Sequence, residues 1–440
     1  MGKWPSYLDS LYLLSLIKPG NLQMSSIQNS EILILGGGVI GLSCAYYLIK
    51  AGRQVRIIER NDIGSGSSHG NCGWICSSEI IPLCAPGVLS STLIKMMQRK
   101  STFHIKPRLD PGLIAWLFHF SRNCSNKYMT LVIPHRYQML KESRELYNKL
   151  IRDEYLDCDW KENGVLILCK DEKHMAEYTK ANDKMKEYGF PIKPFIGKDL
   201  FELEPSIKES VFGAWFRESE SYLRPDKLMT ALKSILLRKG AIIEENCRLE
   251  KLNYRRNRLQ KIQTSRGSFS ADQFVFALGA WTANFAGQLG LRIPIQPGKG
   301  YSITTSNPSI SPKSMCYFSE KDVIATPWSS GFRLGGQLSF SGFNNKLEKK
   351  RLKYLKEAST EYLKIPFGDH LQEEWTGFRP MSRDDMPIID RSPIHKNIMI
   401  ATGHGMLGIT MAPATGKLIA EMLAGEKPFM DTSCFSILRF

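Results

Sequence analysis

The segment that most constrains the fold is a glycine turn between a short apolar run and an amphipathic stretch. Residues 32–35 (ILIL) predict a buried strand that ends at Gly36, and residues 39–50 predict the helix that follows. Residues 54–58 predict a second strand, which ends at Glu59. A strand, a helix and a strand in so short a segment form a compact parallel crossover, so the sequence predicts an α/β domain.

The glycine spacing of this turn, Gly36, Gly38 and Gly41, is that of a dinucleotide site. The first glycine permits the tight turn, the second lets the main chain approach a pyrophosphate, and the third lets helix and strand pack closely. The first helical residues, Val39 and Ile40, present free amides and the positive end of the helix dipole. We therefore expect the phosphates of a dinucleotide at this helix end.

The chain after the second strand predicts the polar remainder of the same site. Glu59 is placed to accept hydrogen bonds from two ribose hydroxyls, and its charge would repel an added 2′-phosphate. Residues 61–73 (NDIGSGSSHGNCG) are rich in hydroxyl, amide and glycine groups, which suit a diphosphate and a ribityl chain; a solvated linker is the alternative. The further cofactor-binding candidates here are Arg60, Ser67, Ser68, Asn71 and Gly73.

A second glycine turn lies far along the chain, between a predicted strand over residues 397–401 and a predicted helix ending near residue 423. Its positive helix end would stabilise the negative charge of a reduced flavin ring. One nucleotide turn together with one distant turn favours FAD over NAD. Its candidates are Gly403, His404, Gly405, Met406, Leu407 and Gly408, with Gly279 in a further strand-to-turn segment. His404 is expected either to tune the flavin or to bond the main chain.

Composition limits the possible partners. The chain has 440 residues, and 59 Lys plus Arg against 43 Asp plus Glu give a net charge of +16, which attracts anions. No zinc-finger spacing or RNA-binding signature is present, so nucleic acid is not expected. Ten dispersed cysteines indicate a reduced, cytoplasmic protein, and the cluster Cys72, Cys76 and Cys84 with His69 lacks metal-site spacing, so no metal is predicted. Residues 1–30 are expected to be an N-terminal extension.

Several longer segments carry a resemblance to a known family from about residue 30 to about residue 431. They are ILGGGVIGLSCAYYL, GSSHGNCGWICSSEIIPLCAPGV, FALGAW, PGKGYS, RLGG, GFRPMSRDDMP and ATGHGMLGITMAPATGKLIAEML. With these segments the chain resembles the D-amino acid oxidase-like FAD-dependent oxidoreductases, and within them the subgroup of D-amino acid dehydrogenase small subunits.

The resemblance implies a bilobal α/β fold, with a Rossmann-like FAD-binding domain and a substrate domain built on a large mixed β-sheet. The expected FAD-binding domain is discontinuous and comprises residues 31–95, 217–290 and 372–430. The expected substrate domain comprises residues 96–216 and 291–371, and residues 431–440 form a C-terminal tail.

The resemblance also implies a reaction, the oxidative deamination of D-amino acids to 2-oxo acids and ammonia by hydride transfer to flavin N5. Arg379 is similar by position to the arginine that clamps the substrate carboxylate, a task that suits a planar guanidinium. An arginine held in an internal ion pair is the alternative. Tyr301 and Tyr317 are candidates for the wall of the substrate site.

The dehydrogenase subgroup implies that electrons pass to a quinone or another respiratory acceptor. The basic, aromatic stretch over residues 95–120 would permit peripheral docking on the inner face of an anionic membrane, or it is ordinary surface of the substrate domain. Two other functions stay open. One is oxidation of a secondary amine such as sarcosine, proline or hydroxyproline, and the other is an inactive flavin-binding partner subunit. A nicotinamide-dependent reductase is disfavoured because a second complete glycine fingerprint is absent.

The chain departs from the family pattern at two places. Ser339 stands where relatives often carry Glu, which affects local packing or polar bonding. Cys72 and Cys76 stand where small or polar residues are expected, which suggests sensitivity to oxidation.

Overall fold

The computed structural model of the chain describes residues 28–87, 103–106 and 109–440. The first 27 residues of the predicted N-terminal extension therefore lie outside the described part. The first strand begins at Gln28, a few residues before the predicted start of the folded chain. Within the described ranges, no helix has both the length and the apolar character needed to cross a bilayer.

The first sheet has eight strands and a parallel centre. Strands β1, β2, β9, β12 and β19 run parallel to their neighbours in the order β9, β2, β1, β12, β19, while β10, β11 and β18 add antiparallel edges. The strands are β1 (Gln28–Leu35), β2 (Val55–Ile58), β9 (Ile242–Glu244), β10 (Leu249–Arg255), β11 (Arg258–Thr264), β12 (Gly267–Phe276), β18 (Ile388–Arg391) and β19 (Ile398–Thr402).

The second sheet has nine strands, mostly antiparallel, in the order β17, β13, β16, β15, β14, β5, β7, β6, with β4 beside β16. A small two-stranded ribbon pairs β3 with β8. The strands are β3 (Trp74–Ile75), β4 (Phe103–Ile105), β5 (Val165–Cys169), β6 (Ile192–Ile196), β7 (Gly213–Arg217), β8 (Ser221–Tyr222), β13 (Ile295–Thr305), β14 (Met315–Phe318), β15 (Val323–Trp328), β16 (Gly331–Phe340) and β17 (Leu371–Ser382).

Helices cover both sheets. Short 3₁₀ segments span Gly279–Phe285, Ser433–Phe435 and Ile437–Arg439. The α-helices of the described residues are α1 (Val39–Lys50), α2 (Pro111–Asn123), α3 (Asn126–Glu154), α4 (Glu172–Glu177), α5 (Thr179–Glu187), α6 (Lys198–Leu203), α7 (Pro225–Arg238), α8 (Ala286–Leu289), α9 (Lys349–Tyr362) and α10 (Gly408–Ala424).

Helices α1 and α10 pack against each other beneath the first sheet. At their closest approach Gly416 lies against the main chain of Ser43, where a side chain at 416 would have no room. The pair belongs to one continuous apolar core that includes Leu42, Leu48 and Leu418. Both helices begin at the same end of the sheet, because the strands that they follow, β1 and β19, are each parallel to β12.

The predicted α/β fold with a large mixed sheet is confirmed, and helix α1 has the predicted bounds. Residues 172–187 form two consecutive helices, α4 and α5, rather than one. Helix α9 is rich in charged residues, but one face of it is apolar, and Leu352, Leu355 and Tyr362 are buried against the second sheet. Strand β17 pairs with β13 of the second sheet, whereas the predicted domain division assigns residues 372–382 to the FAD-binding domain. The other predicted boundaries stay predictions.

Candidate active site

A cavity of about 1190 Å³ is bordered by elements of both sheets. Such a volume exceeds that of most small-ligand pockets, so the cavity fits a long ligand together with a second, smaller one. The sequence-predicted residues that line it are Gly36, Gly38, Val39, Ile40, Glu59, Arg60, Ser67, Ser68, Asn71, Gly73, Gly279, Tyr301, Tyr317, Arg379, His404, Gly405, Met406, Leu407 and Gly408.

The first glycine bend has the backbone that the sequence predicts. Gly36 has φ +109°, and a Cβ there would collide with the carbonyl of Ala277. Gly41 does not line the cavity; a Cβ there would run into the carbonyl of Gly36, so this glycine permits the close packing of helix on strand. The bend thus brings the start of α1 to the cavity.

The start of α1 has the features of an anion site. Gly38 precedes the helix without a side-chain cap, and the first turn holds no acidic residue. The amide of Val39 donates to Oγ of Ser68 at 3.0 Å, so a hydroxyl from the polar loop reaches this helix end. A Cβ on Gly38 would lie 3.3 Å from the same hydroxyl and would narrow the cradle. Free amides, the helix dipole and a hydroxyl therefore converge where a diphosphate is expected.

Glu59 is held at the end of β2 by main-chain donors. Its Oε2 accepts from the amide of Gly37 at 2.7 Å, and its Oε1 accepts from the amide of Asn61 at 3.0 Å. The next residue, Arg60, places its guanidinium carbon 3.7 Å from the ring centroid of Trp281. Burial lowers the pKa of Arg60, and the carboxylate of Glu59 opposes that shift. The sequence does not single out Trp281, which also lines the cavity.

The polar loop of residues 61–73 is folded onto the protein rather than being a solvated linker. Asn71 accepts from the amide of Gly73 at 2.7 Å and donates to the carbonyl of Ser68 at 3.0 Å. Gly73 has φ +74° and lies against the carbonyl of Leu223, so no other residue would fit there without strain.

A buried arginine that sequence reasoning missed, Arg333 on β16, holds this loop. Its Nη1 donates to the carbonyls of His69 and Asn71, each at 2.9 Å, and its Nε donates to Oγ1 of Thr304 at 2.8 Å. Its Nη2 lies 3.3 Å from the carboxylate of Glu373. Arg333 thus connects the polar loop of residues 61–73, which follows β2 of the first sheet, to the second sheet. Its signal in the sequence is the quoted segment RLGG.

The second glycine bend reaches the same cavity. Gly403 and Gly405 have φ +78° and +54°, and Gly403 shapes the turn without lining the cavity. The amide of Gly405 donates to the carbonyl of Pro380 at 3.0 Å, next to Arg379. Helix α10 begins at Gly408 with no side-chain cap and no acidic residue in its first turn. Two uncapped helix ends therefore border one cavity, as expected for a cofactor with two polar regions.

His404 lies within this second bend and is buried. Its Nε2 is 3.0 Å from Oγ1 of Thr415, and that hydroxyl donates to the carbonyl of Met411. Because the hydroxyl proton is engaged, Nε2 carries the histidine proton and Nδ1 is an acceptor without a partner among the described residues. Burial lowers the pKa of His404 to about 3, so the ring is neutral near pH 7. It bonds a side chain rather than the main chain.

Arg379 lies on β17 with its guanidinium at the cavity. Its Nη1 donates to the carbonyl of Gln337 at 2.9 Å. The guanidinium occupies the space over Gly300, where a Cβ would collide with it. Burial lowers the pKa of Arg379, and the neighbouring group that opposes the shift is the thiol of Cys72. No carboxylate of residues 28–87, 103–106 or 109–440 forms an ion pair with Arg379, so the internal ion-pair alternative finds no partner there.

The side chains of the two predicted tyrosines, Tyr301 and Tyr317, have different surroundings. Gly300 faces the guanidinium of Arg379, so in strand β13 the next side chain, that of Tyr301, points to the opposite face. Its ring packs beneath α9, and burial, assisted by Glu348, raises its pKa to about 12. Tyr301 therefore lines the cavity, as expected, but its ring is packed in the core beneath α9, and we assign its hydroxyl no role in the reaction.

Tyr317 remains in the cavity wall. Its hydroxyl donates to Oδ1 of Asp322 at 2.5 Å, and its ring centroid lies 6.0 Å from that of Trp74. Burial raises its pKa well above the usual value, so the phenol stays neutral. Gly279 also lines the cavity, and its carbonyl accepts from the hydroxyls of Thr282 and Thr402, each at 2.9 Å.

The departures from the family pattern have local explanations. Burial raises the pKa of Cys72 to about 11 and that of Cys76 well above 9, so both are thiols rather than reactive thiolates near neutral pH. Ser339 lies opposite Lys299 in the β13–β16 pair, and Nζ of Lys299 donates to the carbonyl of Lys346 at 2.5 Å. The lysine is thus bonded without a carboxylate at position 339.

Comparison with known proteins agrees with this geometry. Residues 31–422 match the family model described as FAD dependent oxidoreductase. The D-amino acid dehydrogenase of Bradyrhizobium diazoefficiens is 29% identical over 418 residues, which cover 93% of this chain and 99% of that protein. The D-amino acid dehydrogenase of Helicobacter pylori is 29% identical over 395 residues, which cover 89% of this chain and 94% of that protein.

Solved structures show the same fold. Glycine oxidase from Geobacillus kaustophilus has a TM-score of 0.77 at 20% identity, over 94% of this chain and 99% of that one. L-proline dehydrogenase from P. horikoshii has a TM-score of 0.71 at 21% identity, over 94% and 98%. At these identities the likeness concerns the fold alone. Two uncapped helix ends at one cavity and a family match over most of the chain lead to one conclusion: this chain belongs to the FAD-dependent oxidoreductase family, and its cofactor is FAD.

Proposed function

We propose that the chain catalyses the FAD-dependent oxidative deamination of D-amino acids to 2-oxo acids and ammonia. The observation that carries the proposal is the guanidinium of Arg379, which borders the cavity without a carboxylate partner among the described residues. A planar guanidinium binds a carboxylate through two parallel hydrogen bonds. The D-amino acid dehydrogenases of similar sequence support the substrate class and the enantiomer.

The proposed roles of the cofactor residues follow from their places. The start of α1 with Ser68 would bind the diphosphate, Glu59 would bind the ribose hydroxyls, and the start of α10 would stabilise negative charge on the flavin ring. The remaining predicted residues of the first bend, the polar loop and the second bend form the walls. Bound FAD supplies the two-electron oxidant for the amino acid.

The protein groups have limited tasks in this reaction. Arg379 holds the substrate carboxylate and thereby fixes the direction of the Cα–H bond. The substrate amine loses one proton before oxidation, because its lone pair forms the new C=N bond as the Cα–H bond breaks and two electrons leave. Water then adds to the imine, and the C–N bond breaks to give the 2-oxo acid and ammonia. The side chains of Tyr317 and Trp74, which both line the cavity, would form part of the wall around the substrate.

The test is anaerobic mixing of the purified yellow protein with a panel of substrates. We expect D-amino acids to bleach the oxidised flavin absorbance and to yield 2-oxo acids, and their L-enantiomers to leave it unchanged. Bleaching by sarcosine, proline or hydroxyproline and not by D-amino acids would replace the proposal with secondary-amine oxidation. Retained absorbance with every compound would favour an inactive flavin-binding subunit.

We further propose that the electrons pass to a quinone or another respiratory acceptor at the inner face of an anionic membrane. Part of the predicted docking stretch, residues 95–102 and 107–108, lies outside the described residues. In the described part, Ile114 and Phe118 of α2 are 60% and 58% exposed, and the guanidinium carbon of Arg122 is 6.0 Å from the Phe118 ring. Exposed apolar side chains beside cations suit such a surface, as does the net charge of +16.

Sedimentation with lipid vesicles tests this contact. The holoenzyme is expected to sediment with vesicles that contain phosphatidylserine and to remain free with vesicles of phosphatidylcholine. Replacing both Ile114 and Phe118 with Ser should release it while the flavin content stays unchanged. Equal binding of the wild-type protein and the double variant would contradict this assignment of the surface.

A further inference from the structure

An extra residue interrupts strand β16 next to Arg379. In the β13–β16 pair, Lys299 lies opposite Ser339, whereas Tyr301 lies opposite Gly336. Two steps along β13 therefore match three steps along β16, which defines a β-bulge at residues 337–338. Gln337 has φ +62°, in the left-handed region that non-glycine residues rarely adopt.

The bulge changes the direction of one carbonyl. In a regular strand the main-chain carbonyls accept hydrogen bonds from amides of the neighbouring strands. The carbonyl of Gln337 instead accepts from a side chain, Nη1 of Arg379, at 2.9 Å. Bulges near active sites commonly re-aim groups in this way. The contact occupies one nitrogen of the guanidinium, and Gly300 leaves the space that the guanidinium fills.

The side chain of Gln337 is anchored on the other side of the sheet. It is buried, and its Nε2 donates to the carbonyl of Arg351 in α9 at 3.4 Å. A left-handed conformation in a non-glycine residue persists where the surroundings over-determine it, and such positions cluster at functional sites. Helix α9 thus holds the side chain of Gln337 on one face of the sheet. The main-chain carbonyl of Gln337 accepts from Arg379 at the cavity.

We propose that Gln337 is a positioning residue for substrate binding: its left-handed bulge fixes the Arg379 guanidinium so that the remaining N–H groups meet the substrate carboxylate. This inference rests on the proposed function, because it assigns a carboxylate to Arg379. Gln337 itself does not touch the substrate. Its contribution lies in the direction of one main-chain carbonyl.

Three substitutions separate the backbone effect from the loss of the side chain. Gln337→Gly, Gln337→Ala and Gln337→Val all remove the amide contact to α9, but glycine adopts φ +62° freely, alanine resists it and β-branched valine resists it most. We expect the KM for a D-amino acid to rise about threefold or less for Gly, more for Ala, and about tenfold or more for Val. The value of kcat and the flavin content should change much less.

Two further measurements keep the test decisive. The dissociation constant of pyruvate, a 2-oxo acid, is read from the perturbed flavin spectrum and should follow the same order of Gly, Ala and Val. Flavin content and the unfolding temperature identify any variant that fails to fold, in which case the Gly and Ala variants still give the comparison. Equal KM values for all three variants would overturn the inference, as would a loss of kcat or of flavin content as large as the rise in KM.

The failure of this inference differs from the failure of the proposed function. If wild-type protein is bleached by D-amino acids and the three variants behave alike, the bulge has no role in substrate binding. If wild-type protein responds to no amino acid and pyruvate does not perturb its flavin spectrum, Arg379 holds no carboxylate, and both proposals fail.

Discussion

Two arginines on strands of the second sheet border the same region of the molecule, but their hydrogen bonding differs. Arg333 donates to two carbonyls and a hydroxyl and pairs with the carboxylate of Glu373. Arg379 donates to one carbonyl and has no carboxylate partner among the described residues. The first guanidinium is occupied by protein groups, and the second retains N–H groups at a cavity.

The difference separates a structural arginine from a ligand-binding one. Burying a cation costs free energy unless hydrogen bonds and an opposite charge compensate for it. For Arg333 the protein supplies that compensation, so a change there should affect folding. For Arg379 an anion from outside supplies it, so a change there should affect ligand binding.

Arg379→Leu should lower kcat/KM for D-amino acids about 1000-fold, which corresponds to about 4 kcal/mol, because the substrate carboxylate loses its charged partner. Steady-state kinetics with an artificial electron acceptor measures this. The kcat/KM of Arg379→Lys should lie between those of the wild type and the Leu variant, because an ammonium keeps the charge but lacks the planar pair of donors. Unchanged kinetics in the Leu variant would remove the assignment.

Arg333→Met should lower the free energy of unfolding by about 3 kcal/mol, because two loop carbonyls lose their donor and Glu373 loses its guanidinium partner while it retains His69. Urea unfolding of the holoenzyme measures the loss. FAD binding should weaken about tenfold as well, because the loop is no longer held in place.

The matched control is Arg152→Met on the surface of α3. Arg152 is 73% exposed and is paired with the neighbouring Asp153. Its loss should change the free energy of unfolding by about 0.5 kcal/mol or less. If both Met variants were equally stable, the description of Arg333 as an occupied structural arginine would be wrong.

His404 extends the comparison to a buried group that stays uncharged. Its pKa is about 3 in the folded protein, against an ordinary value of 6.5, so the unfolded chain takes up the proton first as pH falls. Its contribution to stability is complete above pH 6.5 and is lost progressively down to about pH 3. Between these values the loss is about 1.4 kcal/mol per pH unit.

His404→Gln should remove this dependence. Urea unfolding at pH 7, 6 and 5 gives the free energy of unfolding of both proteins. The wild type should lose about 2 kcal/mol relative to the variant between pH 7 and pH 5. The other histidines are present in both proteins and cancel. A difference that is independent of pH would show that His404 does not titrate in this way.

Gly38→Ala tests the first helix end and should have the smallest effect. The added methyl would lie 3.3 Å from Oγ of Ser68 and narrow the diphosphate cradle, so the dissociation constant of FAD should rise about fivefold. Fluorescence titration of the apoprotein with FAD measures it. Gly287→Ala in α8 is the control, since a Cβ there meets nothing within 4 Å. Equal FAD affinities in the two variants would place the diphosphate elsewhere.

The sequence predicts much of the region around the first sheet, because the turns there depend on local residues. Gly36 needs a positive φ and Gly41 needs a missing side chain, and both requirements are visible as glycine spacing. Helix α1 therefore has the bounds that its pattern predicts. The two distant bends converge on one cavity because β1, β12 and β19 are parallel, so the strands that precede the bends end at the same edge of the sheet.

The second lobe is less predictable because its contacts depend on strand register. Side chains alternate between the two faces of β13, so Gly300 faces Arg379 and Tyr301 faces α9. The sequence alone does not show which of the two faces borders the cavity. The bulge at Gln337 has no sequence signal, since no glycine marks its positive φ. Arg333 is buried through partners far away in the chain, which periodicity does not reveal.

The most direct test of the account is the affinity of a carboxylate for the flavin-loaded protein with and without the Arg379 guanidinium. Pyruvate is titrated into wild type, Arg379→Leu and the control Arg152→Met, and binding is read from the flavin spectrum. We expect the dissociation constant to rise about 100-fold or more in the Leu variant alone. Equal affinity in all three proteins would contradict it, because the carboxylate would then be bound elsewhere than at Arg379.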